Sequence, residues 1–273
     1  MTAALDRQAF FNAVRLSPFP GHLTPSQVSG MEAILDACPV DTPLEHLAYG
    51  LGTCPIETGW TMLPIKEKGG AAYFARMYDI RGDRPEKARE LGNLNPGDGI
   101  AFCGRGLVQL TGRANYRKAT LRLRALGLLV AGQDLETNPD LAMHPDVAAP
   151  VLFIGTREGW FTGKKLSDYL GGGKADWKGA RRIINGQDRA AEIALHAQAF
   201  AAALKKAGYA PGAAVTKIPV PPVTAAPVPP LVPPAPRRTA DPAPPDTGGV
   251  TGPTVQTGGV GAWLKSLFSK KAA

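Results

Sequence analysis

Cysteine is scarce in this 273-residue chain, limited to Cys38, Cys54 and Cys103. An odd count without a Cys-x-x-Cys pair excludes a disulfide scaffold and the usual structural zinc spacings. The three read as small apolar packing residues of a protein kept in a reducing compartment. Histidine is equally sparse: His22, His46, His144 and His196 are scattered and form no His-x-x-x-His pair. No metal site and no cofactor are therefore expected. There is no Gly-x-Ser-x-Gly, P-loop or dinucleotide fingerprint, and no cysteine stands beside a histidine in sequence. Long apolar runs are missing too, so no membrane span is expected. The opening Met1-Thr-Ala-Ala-Leu-Asp-Arg7 lacks the apolar stretch of a secretory signal, and the reading is of a protein made in the cytoplasm.

What is present divides the chain. Apolar residues make up 44%, enough for a core. Residues 211–256 hold 14 of the 26 prolines and no aromatic residue. That composition cannot bury enough surface to fold and reads as an extended linker. The expected organisation is a domain over 1–210, a linker over 211–256 and a short tail over 257–273. Net charge is +8, with a mild excess on the domain. Without zinc-finger spacing, an RNP-type sequence or a dense basic helix, nucleic acid is not an expected partner. In the tail, Trp263, Leu264, Leu267 and Phe268 form one apolar helical face, with Lys265, Lys270 and Lys271 supplying charge. Residues 259–273 therefore match a short interfacial helix that could contact an anionic membrane.

The local signals are mostly helical. Thr24-Pro-Ser-Gln27 is a capping box with proline at the first helical position, and Thr42-Pro-Leu-Glu45 repeats the device. The second helix would run toward Glu57. Helices are also expected from about Arg113 to Leu126, over 145–160 with a kink at Pro150, and from an N-cap at Asp188 to Gly208. A short strand pair is expected around Ile100–Val108. The fold class is thus mostly α with a small β element.

Glu57 and Glu67 stand ten residues apart in Ile56-Glu-Thr-Gly-Trp-Thr-Met-Leu-Pro-Ile-Lys-Glu67. On one straight helix they would be about 15 Å apart along the axis. Pro64 breaks the helix, so a returning chain can bring them to the roughly 6.5–9.5 Å that an inverting carboxyl pair requires. A polar, glycine-punctuated run follows: Phe102-Cys-Gly-Arg-Gly-Leu-Val-Gln-Leu-Thr-Gly-Arg-Ala-Asn-Tyr116. Glu57 lies among apolar neighbours, whose desolvation should keep it protonated as an acid. Glu67 lies between Lys66 and Lys68, which should favour a charged base.

Both segments, with Asn93-Leu-Asn-Pro-Gly-Asp-Gly99 and Arg181-Arg-Ile-Ile-Asn-Gly186, resemble the family 19 glycoside hydrolases, and most closely their phage endolysin branch. The resemblance spans roughly residues 5–205. It implies a lysozyme-like fold with a cleft between two lobes, Glu57 as proton donor, Glu67 as base and Thr111 as the group orienting the attacking water. It further implies that Gln109, Asn115 and Asn185 bind the sugar. The expected substrate is the peptidoglycan glycan strand, hydrolysed at β-1,4 bonds by a monomeric enzyme that reaches the wall after release from the cell. Chitin cleavage and a non-catalytic wall-binding role are the alternatives. One departure stands out, since many members have His before the acid glutamate and this chain has Pro55-Ile56. A proline there removes a helix hydrogen bond and invites a kink.

Overall fold

The computed structural model describes residues 3–214. The linker beyond them and the 257–273 segment lie outside the described residues.

After strand β1 (Ala3–Ala4), helix α1 (Arg7–Val14) opens on Asp6, whose carboxylate accepts from the Ala9 N–H at 2.9 Å. Helix α2 (Pro25–Ala37) carries the expected capping box, with Thr24 and Gln27 exchanging side-chain and backbone bonds. Helix α3 (Leu44–Glu57) begins without the second box. Thr42 is buried, and its carbonyl accepts the Tyr209 hydroxyl at 2.8 Å. The cap position is Pro43, which has no side-chain acceptor, so the Thr42 wording does not close a box here. The helix continues through Pro55, so the departure from the family wording leaves Glu57 as the last helical residue.

A turn leads to β2 (Ile65–Lys66), then to α4 (Ala71–Tyr78), α5 (Pro85–Glu90) and α6 (Asp98–Ala101). The strand pair expected within 100–108 is different in fact. Ile100 is helical, and β3 (Arg105–Gly106) pairs antiparallel with β2, Ile65 opposite Gly106. A strand of two residues leaves too little alternation to read, and its partner lies forty residues back. Helices α7 (Arg113–Ala125) and α8 (Pro145–Glu158) follow, α8 running through Pro150. A hairpin of β4 (Leu170–Gly171) and β5 (Lys174–Ala175) precedes α9 (Ala190–Lys206). Asp188 does not cap that helix. The cap position is Arg189, at φ 55°, and the Asp188 carbonyl accepts from Arg181.

Strand β6 (Ala210–Ala214) pairs with β1 and joins the two ends of the described chain. The domain boundary placed at 210 therefore falls on the first residue of a strand. Among the described residues the protein is mostly helical with three two-stranded sheets, and no helix is long and apolar enough to cross a membrane.

Helices α3 and α9 form the densest pair. A Cβ on Gly52 would sit 2.5 Å from the Ala197 nitrogen, so only glycine permits this approach. The expected apolar face of α9, Ile193, Ala197, Phe200 and Leu204, is fully buried. Each of the larger side chains contributes on the order of 1.5–3 kcal/mol. The core is divided. One large cluster gathers residues from α1, α2, α3, α7, α8 and α9, while a small one contains Phe74, Met77, Tyr78 and Cys103. All three cysteines are buried and free, as packing residues should be.

Candidate active site

Glu57 belongs to the large cluster's helix, and Glu67 contacts the small one. Glu57 is 4% exposed. Arg181, 124 residues away in the 3-10 turn Gly179–Ile183, donates from Nη1 to its Oε1 at 2.6 Å, and both side chains are shielded from solvent. Arg181 is itself oriented by the Asp188 carbonyl, which accepts from Nε at 3.1 Å. Burial raises the Glu57 carboxyl above the usual range, and the Arg181 guanidinium opposes that rise. The expected desolvation is present, together with an ion-pair partner that local sequence could not reveal. The nearby Asn185 is also buried. Its Oδ1 accepts from the Gly186 N–H, and its Nδ2 has no hydrogen-bond partner.

The link from Glu57 to Glu67 is a compact turn. The Thr58 hydroxyl donates to the Cys54 carbonyl at 2.7 Å and accepts from the Met62 N–H at 3.0 Å. Trp60 and Met62 adopt left-handed backbone conformations here, at φ 68° and 61°. Such departures cost of order 1–3 kcal/mol each and persist only where surrounding contacts enforce them. Glu67 emerges just past β2, its N–H bonded to the Gly104 carbonyl at 2.8 Å. Its Oε1 accepts the Tyr78 hydroxyl at 2.9 Å and its Oε2 the Gly104 N–H at 3.2 Å. Burial raises this carboxyl too, and these two donors, not the flanking lysines, counter the rise. That corrects the expected role of Lys66 and Lys68.

Gly104 marks the point of convergence. A Cβ built there would lie 2.7 Å from Gln109 Oε1, 3.1 Å from Glu67 Oε2 and 3.3 Å from Thr111 Oγ1. Three of the expected site residues thus crowd one spot. Gln109 is held in place by its Nε2, which donates to the Ile65 and Gly106 carbonyls, and its backbone is left-handed at φ 55°. The Thr111 hydroxyl donates to the Gln109 carbonyl at 2.9 Å, which leaves its oxygen free to accept a hydrogen from water. Asn115 donates from Nδ2 to the Thr111 carbonyl at 2.8 Å, so it orders the loop carrying Thr111.

Two residues missed by sequence reasoning brace this loop. The buried Asn93 donates to the Tyr78 carbonyl and accepts from the Arg113 N–H, tying the end of α4 to the start of α7. Arg105 donates to the Ala101 and Cys103 carbonyls and to the Tyr116 hydroxyl, and pairs with Asp140 at 2.7 Å. Among the described residues no cluster of potential metal ligands occurs.

No family model matches the chain, and no curated protein matches it. The solved structures that show some likeness include two of chitinase C. Chitinase C from Streptomyces griseus HUT6037 aligns over 76% of this chain and 78% of its own, at 20% identity and a TM-score of 0.45. A mutant of chitinase C aligns over 76% of this chain and 94% of its own, at 17% identity and a TM-score of 0.40. Both likenesses are distant. The chemistry of the site stands on its own residues.

Proposed function

We propose that the protein is a glycoside hydrolase that cuts β-1,4 bonds of the peptidoglycan glycan strand with inversion, as an endolysin does. The observation that carries this reading is the convergence of Glu67, Gln109 and Thr111 around Gly104. Such a group suits a water molecule. Glu67 Oε2 takes one proton of the water as its oxygen attacks the anomeric carbon, while Thr111 Oγ1 or Gln109 Oε1 accepts the other hydrogen and orients it. Glu57 supplies the other half: its raised pKa favours the protonated form that gives a proton to the leaving oxygen. Arg181 then stabilises the carboxylate left behind and fixes its orientation. The Asn185 amide, four residues beyond Arg181, has a donor unspent.

In this proposal the substrate is cell-wall glycan reached after release from the cytoplasm. Residues 259–273 contact an anionic membrane on the way; the isolated peptide should gain helix when mixed with anionic vesicles, and no gain removes that contact. The main test gives the purified protein peptidoglycan sacculi and colloidal chitin separately. Released ends are identified by mass spectrometry and the anomeric configuration of fresh product by NMR. Inverted muropeptide ends support the proposal. Release from chitin alone makes it a chitinase, retained configuration replaces the water mechanism with a covalent one, and sacculus binding without release leaves a wall-binding protein.

A further inference from the structure

A groove of about 360 Å³ lies between the segment Ala175–Lys178 and the outer face of α9, where Ala191, Ala194, Leu195 and Gln198 line it. Its chemistry is mixed. Trp177 is half-buried and packed against the large core. Leu195 is 67% exposed, a large apolar side chain left in water on an otherwise well-buried helix. The Gln198 amide and the Lys178 ammonium are exposed, and Lys178 makes no ion pair among the described residues. Asp176 does local work, accepting from the Gly179 N–H at 2.7 Å and fixing the turn that holds Trp177.

Both walls lead directly to the acid side of the site. The Ala175–Lys178 wall runs into the turn that carries Arg181, and α9 starts just after Asp188, whose carbonyl orients Arg181. Leu195 lies about 9 Å along the helix axis from Arg189. Both walls of the groove are thus continuous in chain with the segments that hold Arg181 against Glu57.

We propose that this groove is a second binding site for the glycan strand, in which a sugar ring packs on Trp177 and Leu195. Its hydroxyl and acetamido groups hydrogen-bond Gln198, and a stem-peptide carboxylate pairs with Lys178. A core-packed aromatic ring, an aliphatic rim, an amide and an ammonium form a surface that is apolar for the sugar face and polar for its edge. The shallow, open form suits a strand passing through better than a small molecule enclosed on all sides. The proposal rests on the glycan reading above.

The test uses the full-length chain carrying Glu57→Gln, so that binding is measured without turnover. Sacculi are pelleted with this protein and with the same protein carrying Leu195→Asp, Gln198→Ala or Lys178→Ala, all exposed positions that leave the core untouched. Trp177→Phe is added as a conservative change of the ring, with circular dichroism to confirm folding. Leu195→Asp and Gln198→Ala should each weaken sacculus binding about three- to tenfold. In the otherwise wild-type enzyme they should raise KM on sacculi, with kcat on short oligosaccharides unchanged. Lys178→Ala should weaken binding to sacculi but not to chitin, which has no carboxylate. Binding within twofold of the parent for both Leu195→Asp and Gln198→Ala would overturn the groove. The parent reading fails separately, by an absence of bond cleavage in the wild-type enzyme, and the pelleting result still judges the groove.

Discussion

Replacing Arg181 with methionine is the sharpest probe of the site, because its effect depends on pH in a direction the structure fixes. Arg181 and Glu57 are 0% and 2% exposed at the side chain and bond at 2.6 Å, so solvent does not screen the pair. Removing one partner of such a pair leaves a buried charge uncompensated, at a cost of about 3–5 kcal/mol. In a domain of this size that lowers the melting temperature by roughly 10 °C. The sign follows from the proton count. The Glu57 carboxyl is already raised in the folded state, so the native protein holds its proton more tightly than the unfolded chain. Ionising it therefore costs stability as pH rises from the unfolded value through the folded one. Without Arg181 the folded value climbs further, and the penalty becomes largest near neutrality. As pH falls toward the unfolded value of 4.5, below which Glu57 is neutral in both states, the penalty should shrink. Thermal melts between pH 5 and 8 on Arg181→Met, Glu57→Gln and the double variant test this. The double variant should recover most of the loss at pH 7, since no buried charge remains. A pH-independent loss that Glu57→Gln does not rescue would show that Arg181 acts through packing, and the ion-pair argument would fall.

The remaining expectations concern catalysis. Glu57→Gln should fold and lose at least about 10²-fold in rate on the cleaved substrate, the lower end of general-acid assistance. Glu67→Ala should lose a similar factor, and added azide should restore turnover as an inverted glycosyl azide; activity within threefold of wild type in either variant removes that carboxyl from the mechanism. Gly104→Ala alters no candidate catalytic side chain, yet its new methyl group meets Gln109 Oε1, Glu67 Oε2 and Thr111 Oγ1. It should cost at least tenfold in kcat, in line with the sensitivity of such sites to small misplacement, with the melting temperature little changed. Full activity there would mean that the three atoms do not act together. Tyr78→Phe keeps the ring in the small cluster and removes one donor to Glu67. The Glu67 pKa should climb further, and the acid limb of the pH–rate profile should move to higher pH because the base is protonated over a wider range. An unmoved acid limb would separate Tyr78 from the base.

Sequence served well where a decision is local. The Thr24 box closes on itself within four residues, and α7, α8 and the apolar face of α9 follow from their own periodicity. It failed where distant groups hold the chain at a helix start. Thr42 has the same local wording as Thr24, but the cap position of α3 is Pro43 and that of α9 is Arg189, while the carbonyls of Thr42 and Asp188 are held by Tyr209, 167 residues away, and Arg181. The candidate site shows the same division. Glu57, Glu67, Gln109 and Thr111 can be named from the wording of two segments. The groups that set their protonation cannot be, since Arg181 reaches Glu57 across 124 residues and Tyr78 reaches Glu67 from a separate helix. Gly104 was legible only as turn punctuation. Its absence from the positive-φ residues shows that backbone freedom is not why glycine stands there. The reason is proximity: three polar side chains occupy the space a Cβ would take. The lysines beside Glu67 were persuasive for the opposite reason, being close in sequence while neither supplies the donors that oppose its protonation. Proximity along the chain named the two candidate carboxylates, but their protonation is set by contacts that exist only once the chain has folded.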